Sequence, residues 1–519
     1  MKTAFFIPLF AMLFVACTVQ PTLPAADNAE QSATNLPGSG DVVWLAPSDP
    51  VSMDPHRVGD HPSWNAQSQV FEGLTWFDEN HVLQPLLAYS FEQIEPTVWE
   101  FVLRQDVYFS DGEPFNAYAV LRSLDRVRSD HIASPSAPVM LGMVSDITIE
   151  SDYIIRVHTF YPFAPLPTHF TTSATFIVSP AAIAYEEAGG TTVSENPVGT
   201  GPFVQYERIH GDRIYFVRNP YYWNGPISFE RLIWRVIPDT NTRLAMLETG
   251  EANGMQGNSM TQPLYSAMEN VSYVLNIAPT IHYLSFNLNT EYLADPFVRR
   301  AINHAINREA ILIINEGGAD LATSTAPPFI DFAPQGLLVP ERDLEYAHYL
   351  LSQSQWPNGG FTIGFWYNIG NSARQLIAEL LHADLAALNI TVEIEAMEWG
   401  AYMESIGAGL HDMFILGWSI VTLDADNAFF GLYHSSNFGA SGNRAFFSNP
   451  TVDALIEEGH RTGDPLRRQE IYNELGEILA YYIPIIPLWH PHNPFPYTGI
   501  DGLHVCLRSV PFFQNVRLI

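Results

Sequence analysis

Two carboxylates in close spacing, Asp424 and Asp426, sit inside the apolar run GWSIVTLDADNAFF at residues 417–430. Acidic groups in such a setting either line a binding cleft, where they meet a cation such as a ligand ammonium, or cap a turn or a helix start. Asp424 is the expected ligand contact, and Asp426, which lies closer to the helical run NAFFGLYH, is a candidate both for a ligand contact and for the cap of that run. A second pair, His490 and His492 in HPH, has metal-ligand spacing but lies among prolines, in an expected loop, with no cysteine beside it. Metal binding is therefore not expected. The chain contains no Gly-rich phosphate loop, no HExxH, no CxxC pair and no GxSxG elbow. With 56 Asp plus Glu residues, no acid/base pair stands out either. No catalytic residue and no cofactor is expected.

The elements that position these residues are legible in the second half. Asp295-Pro296 is an N-cap followed by proline at the first helical position, opening FVRRAINHAINREAILII as one helix with Val298, Ile302, Ile306 and Ile313 on a shared face. FTIGFWY reads as a strand, and Ser372 with Gln375 as the capping box of ARQLIAELLHADLAAL. The strand ITVEIEA, the short helix WGAYMESIGAG and the strand DMFILGW follow. Strand, helix, strand, helix, strand with short links predicts a doubly wound α/β unit with parallel strands. Ligands of such sheets lie beyond the carboxyl ends of the strands. That rule brings Tyr367, Trp399, Trp418 and the two aspartates to one crevice, although each aromatic alone is also consistent with ordinary packing. In the first half, WEFVLR and RIYFVRN alternate at period two as half-buried strands, VWLAP is a third, and AYAVLRSLDRVRS has helical spacing. That half reads as a mixed α and β unit.

At the scale of the chain, 519 residues exceed one core, so two or three globular units are expected. Lys plus Arg number 24 against the 56 acids, a formal charge of −32, and Lys2 is the sole lysine. Such a surface repels phosphate backbones, which excludes nucleic acid as a partner. MKTAFFIPLFAMLFVAC has a basic start and a short apolar core, which predicts an export signal at 1–16 rather than a span. Val15-Ala16-Cys17 resembles a lipobox, so Cys17 is the expected lipidation site, a plain secretory signal being the alternative. Residues 17–40 read as a flexible tether. Only Cys506 remains, so no internal disulfide is expected.

Long blocks of the chain resemble the extracytoplasmic solute-binding proteins of ABC importers, in the oligopeptide, dipeptide and nickel-binding family. MDPHRVGDHPSWNAQSQVFEGLTWFD at 53–78 is similar to that family's opening segment. WEFVLRQDVYFSDGEPFNAYAVLRSLDRV at 99–127, with Leu103-Arg104 and Phe109-Ser110-Asp111-Gly112, is similar to its most specific signature. NPVGTGPFVQYERIHGDRIYFVRNPYYWNG at 196–225 and DPFVRRAINHAINREAI at 295–311 follow in the family's order. The resemblance implies a two-lobed α/β fold of the periplasmic-binding-protein type (type II, cluster C) with an extra subdomain in lobe one. Lobe one would span 41–275 with a return at 490–519, the subdomain 73–198, and lobe two 276–489. It implies a monomeric receptor, lipid-anchored in the periplasmic space or on the outer face of the cell membrane. Such a receptor captures oligopeptides or dipeptides and delivers them to an ABC permease with a separate ATPase. Peptide-binding members carry an Asp three residues after the Trp of the Gly-Trp pair, where it meets the peptide amine; here that position is Val421. The expected ligand contacts are Trp399, Trp418, Val421, Asp424, Asp426, Tyr367 and Asn287 of the LSFNLN strand. Val421 keeps a non-peptide solute open (a nickel chelate, an oligosaccharide or an opine-like compound), and a secreted hydrolase is the alternative of a different class.

Overall fold

A computed structural model describes residues 40–78, 82–257, 262–315 and 318–519. The expected signal, Cys17 and all but the last residue of the tether lie outside the described residues. Among the described residues no helix is long and apolar enough to cross a membrane.

A twelve-stranded sheet runs through both halves of the molecule. At one end the strands Ile390–Met397, Phe361–Asn368 and Met413–Ser419 are parallel neighbours, as the alternating strand and helix pattern requires. Their crossovers are the helices Ser372–Ala386 and Trp399–Gly407. The two faces of this unit are covered separately. Ile377, Leu381 and Leu385 pack with Ile363 and Phe365 on one face. Tyr402, Ile406 and Phe429 pack with Phe414 and Leu416 on the other. Beyond Met413–Ser419 the sheet turns antiparallel, through Thr280–Phe286 and then Ile485–Tyr497.

Ile485–Tyr497 is the element that joins the halves. Its first residues pair with Thr280–Phe286, and from His492 onward it pairs with Ser272–Ile277. The chain thus crosses between halves twice, near Ala278-Pro279 and near His490-Pro491, and the Ala278 N–H donates to the Pro491 carbonyl at 2.9 Å. This corrects the expected loop around HPH. The prolines lack donors, but their φ suits an extended chain, and the carbonyls of Pro491 and Pro494 accept from Ala278 and Gly257. On the far side, Asp41–Ala46 lies parallel to Arg231–Val236, and the sheet ends in the hairpin Arg213–Arg218 with Phe203–Ile209. A separate four-stranded antiparallel sheet, Ala88–Glu95, Val98–Leu103, Ile154–Thr159 and Val144–Ser151, carries the helix Ala117–Arg128 on its own core.

Two local expectations change. The run after Asp295 is two helices, Pro296–Ala305 and Arg308–Ile314, because Ile306 is extended and Asn307 caps the second by accepting from the Ala310 N–H. The cap of Ser372–Ala386 is Asn371, accepting from the Arg374 N–H, and Ser372 is already helical. Asparagine one residue earlier competes better for the extended cap position than the serine inside the turn.

Candidate functional site

The strand Met413–Ser419 delivers Gly417-Trp418 to the junction of the halves. The Trp418 ring lies on the helix Ala425–Tyr433 where Gly431 leaves room, and its Nε1 donates to Asn427 Oδ1 at 3.1 Å. After the strand, Val421 packs against the cores of the first half and of its subdomain. Leu423 then adopts a left-handed φ of 55°, which turns the following residue inward.

That residue is Asp424, and its surroundings correct the expected division of labour. Asp424, not Asp426, caps the helix, accepting from the Asp426 N–H at 2.9 Å. Its two oxygens also accept from the two terminal nitrogens of Arg468, at 2.7 and 2.9 Å. The pair is buried, with 4% and 5% side-chain exposure, and the guanidinium lies 4.1 Å over the Phe332 ring. An aspartate already bound in a fork and a cap has no free edge to offer a ligand ammonium. Asp426 is buried one turn further in, 2.6 Å from His460 Nε2, and accepts from the Tyr472 hydroxyl at 3.0 Å. Burial alone would raise its carboxyl, but the facing His460 ring and Arg468 hold it below the usual range. Nearby Asp331 is pushed up to about 6 by burial and by the charge of Asp424.

The remaining expected contacts are dispersed. Asn287 is buried and donates to the Gly409 and His411 carbonyls at 2.9 Å each, closing a turn rather than facing a cleft. Tyr367 belongs to the core of the second half. Trp399 opens its helix on the surface, 50% exposed. His490 Nδ1 lies 3.0 Å from the Thr280 carbonyl, and His492 Nε2 2.9 Å from Asp320. Among the described residues no group of His, Cys, Asp and Glu is placed to hold a metal ion.

The space at the junction is lined instead by residues that were not among the expected ligand contacts. A cavity of about 90 Å³ with an open mouth is walled by Trp64, Trp76, Tyr222 and Phe512, with Leu423 reaching in from the second half. Its polar groups include Glu72 and Arg508. Glu72 accepts from the Thr200 hydroxyl at 2.7 Å and from Trp223 Nε1 at 2.9 Å, and burial pushes its carboxyl up to about 7. Arg508 is 7% exposed, with its guanidinium 5.2 Å from the Trp64 ring and 5.0 Å from Phe77. Burial pulls it down to about 10, still cationic at neutral pH. Glu72 lies within the quoted opening segment and was visible there. A single arginine in VCLRSVPFF carries no signal.

The chain is similar to known proteins along most of its length. Residues 82–440 match the bacterial extracellular solute-binding proteins, family 5 Middle. The glutathione-binding protein GsiB of Escherichia coli strain K12 is 30% identical over 460 residues, covering 86% of this chain and 88% of that one. The periplasmic binding protein DppA of Helicobacter pylori, solved in complex with the peptide STSA, superposes with a TM-score of 0.79 at 28% identity, covering 95% of this chain and 99% of that one. HbpA2 of Haemophilus parasuis superposes with a TM-score of 0.83 at 25% identity, covering 92% of this chain and 100% of that one.

Proposed function

Because the chain belongs to the bacterial extracellular solute-binding proteins of family 5, we propose that it captures a short peptide in the cleft between its two lobes and presents it to an ABC permease served by a separate ATPase. It is an extracytoplasmic solute-binding protein of ABC importers with a two-lobed α/β fold, and not an enzyme. The observation that carries the peptide reading is the aromatic-walled cavity, with Glu72 and Arg508 among its polar groups, where Leu423 meets the first lobe. On this reading lobe one comprises 41–275 and 490–519 with a subdomain at 73–198, and lobe two 276–489. The solute touches both lobes only when they are closed, so binding free energy drives closure about the two crossing segments. The receptor acts as a monomer, tethered through lipidated Cys17.

Isothermal titration against di-, tri- and tetrapeptides, with glutathione included because of the GsiB relatives, tests the reading. Saturable binding without turnover supports it, and conversion of a peptide by the pure protein would sink it. Cys17→Ser is expected to release the protein from the membrane fraction, and an equally soluble wild type would remove the lipid anchor from the reading. Val421 favours a second solute class. With Asp424 held by Arg468, no counter-charge for a free amine stands on this loop, so nickel chelates, oligosaccharides and opine-like compounds belong in the same titration.

A further inference from the structure

We propose that Arg508 is the ligand's acid anchor, taking a carboxylate of the solute inside the cavity at the lobe contact. The inference rests on the solute-binding reading and adds the chemistry that the site selects. A guanidinium has five N–H donors and requires either water or acceptors for them. Arg508 is buried, yet among the described residues only two of its donors have partners: Nη1 donates to the Thr171 carbonyl at 2.8 Å and Nη2 to the Thr171 hydroxyl. Nε is buried without a partner. Among the described residues no carboxylate lies within ion-pair distance of it, whereas the buried Arg126 and Arg468 face acids. The buried Arg243, Arg299, Arg308, Arg374 and Arg444 are likewise without an ion pair among the described residues, but of the six without one only Arg508 lines this cavity. Arg126 is held by Asp54 and Glu186, and Arg468 by Asp424.

A buried cation without a counter-charge is costly, and the faces of Trp64 and Phe77 offset only part of that cost. The other acidic groups near it do not supply the charge. Glu72 bonds to Thr200 and Trp223, and burial keeps it protonated up to about neutral pH. The Cys506 thiol is likewise pushed up by burial. The cavity is therefore cationic within a chain of formal charge −32. A carboxylate entering it fits the planar fork of the guanidinium, which is built to bind two oxygens at once. The aromatic walls remain for the apolar or flat part of the same molecule. The His61 ring holds the Arg508 carbonyl at 2.6 Å, and Ser509 turns with a left-handed φ of 61°, so the backbone that carries the anchor is itself fixed.

The test titrates the purified protein with trialanine, trialanine amide and Ala-Glu-Ala amide, and with galacturonic acid and galactose as a non-peptide pair. Trialanine is expected to bind at least about 30-fold more tightly than its amide. Recovery of the lost affinity by Ala-Glu-Ala amide would show that a side-chain carboxylate serves as well as the terminal one. Arg508→Gln is expected to make acid and amide equal, and Arg508→Lys to keep part of the preference. Equal binding of acid and amide by the wild type overturns the proposal while leaving peptide capture intact, and needs no variant that folds. Persistence of the acid preference in a folded Arg508→Gln protein overturns it too. Binding of galacturonic acid over galactose, with no peptide bound, would remove the peptide reading and retain the acid anchor.

Discussion

Asp424 and Glu72 show how burial assigns a carboxyl its task. The Asp424–Arg468 pair is enclosed, so removing one charge strands the other in a medium that solvates it poorly. Asp424→Asn is expected to cost about 3–5 kcal/mol of stability, read as a lower urea midpoint, while the folded fraction binds ligand with unchanged affinity. A loss of affinity at unchanged stability would instead put Asp424 on the ligand. Glu72 behaves in the opposite sense. Its carboxyl, pushed up to about 7 against an ordinary 4.5, keeps a proton in the folded protein that the unfolded chain has already released. This group therefore lowers stability progressively as pH rises from about 4.5 through 7, and the loss is complete above 7. Glu72→Gln retains an acceptor for Thr200 and Trp223 and abolishes the titration. At pH 8 the variant is expected to be more stable than the wild type by about 1–3 kcal/mol, and indistinguishable near pH 4. Denaturation curves at the two pH values check this, and a constant difference between them would contradict it.

Among the elements, the helix Ala425–Tyr433 and the strand before it are built around one contact. Gly431 lies mid-helix, where alanine is intrinsically better by about 1 kcal/mol. A Cβ there would overlap Cζ2 of Trp418, and a Cβ at Gly442 would overlap the Gly431 carbonyl and crowd the same ring. Packing outweighs propensity at this position. Gly431→Ala is expected to destabilise by about 1–3 kcal/mol and to shift tryptophan emission as the Trp418 ring moves. A stabilised variant with unchanged emission would mean that the ring has another way to lie. The strand Ile485–Tyr497 makes a related point. Four prolines would argue against an interior strand, yet this one holds partners on both sides because the neighbouring N–H groups donate to its carbonyls.

For the molecule as a whole, the lobes meet through specific contacts, with Phe77 and Leu507 of lobe one packed into the same apolar cluster as Tyr283 and Phe414 of lobe two. The Ala164 N–H of the first lobe's subdomain donates to the His460 carbonyl at 3.0 Å, and Phe163 packs edge-on to the same imidazole. Val421 fills the gap between them and the lobe-one core. On the proposed two-lobe reading, the lobes part at these contacts while each keeps its own core. Ligand addition is expected to reduce the radius of gyration in small-angle scattering and leave circular dichroism unchanged. An identical radius at saturation would mean that the solute enters without closure.

What the sequence determined by itself is local or long. Apolar periodicity, the Asp-Pro cap, and the order of the quoted blocks were enough for the parallel unit, the two-lobed fold and the family, because each depends on neighbours a few residues apart or on hundreds of residues read together. Even there the Ile306 break and the proline-rich strand escaped, since a second cap and a neighbour's donors overrode the periodicity. The candidate site was scarcely legible. Among 56 acids and few arginines, which carboxylate finds a cation depends on chain segments meeting from afar: Asp424 meets Arg468 from the next-but-one helix, 44 residues on. The cavity gathers Trp64, Glu72, Tyr222, Leu423 and Arg508 from positions that no spacing rule connects. Tertiary structure alone decided that Asp424 meets an arginine while Arg508, among the described residues, meets no carboxylate, because whether a charge has a partner is set by what packs around it, not by the residues beside it in the chain.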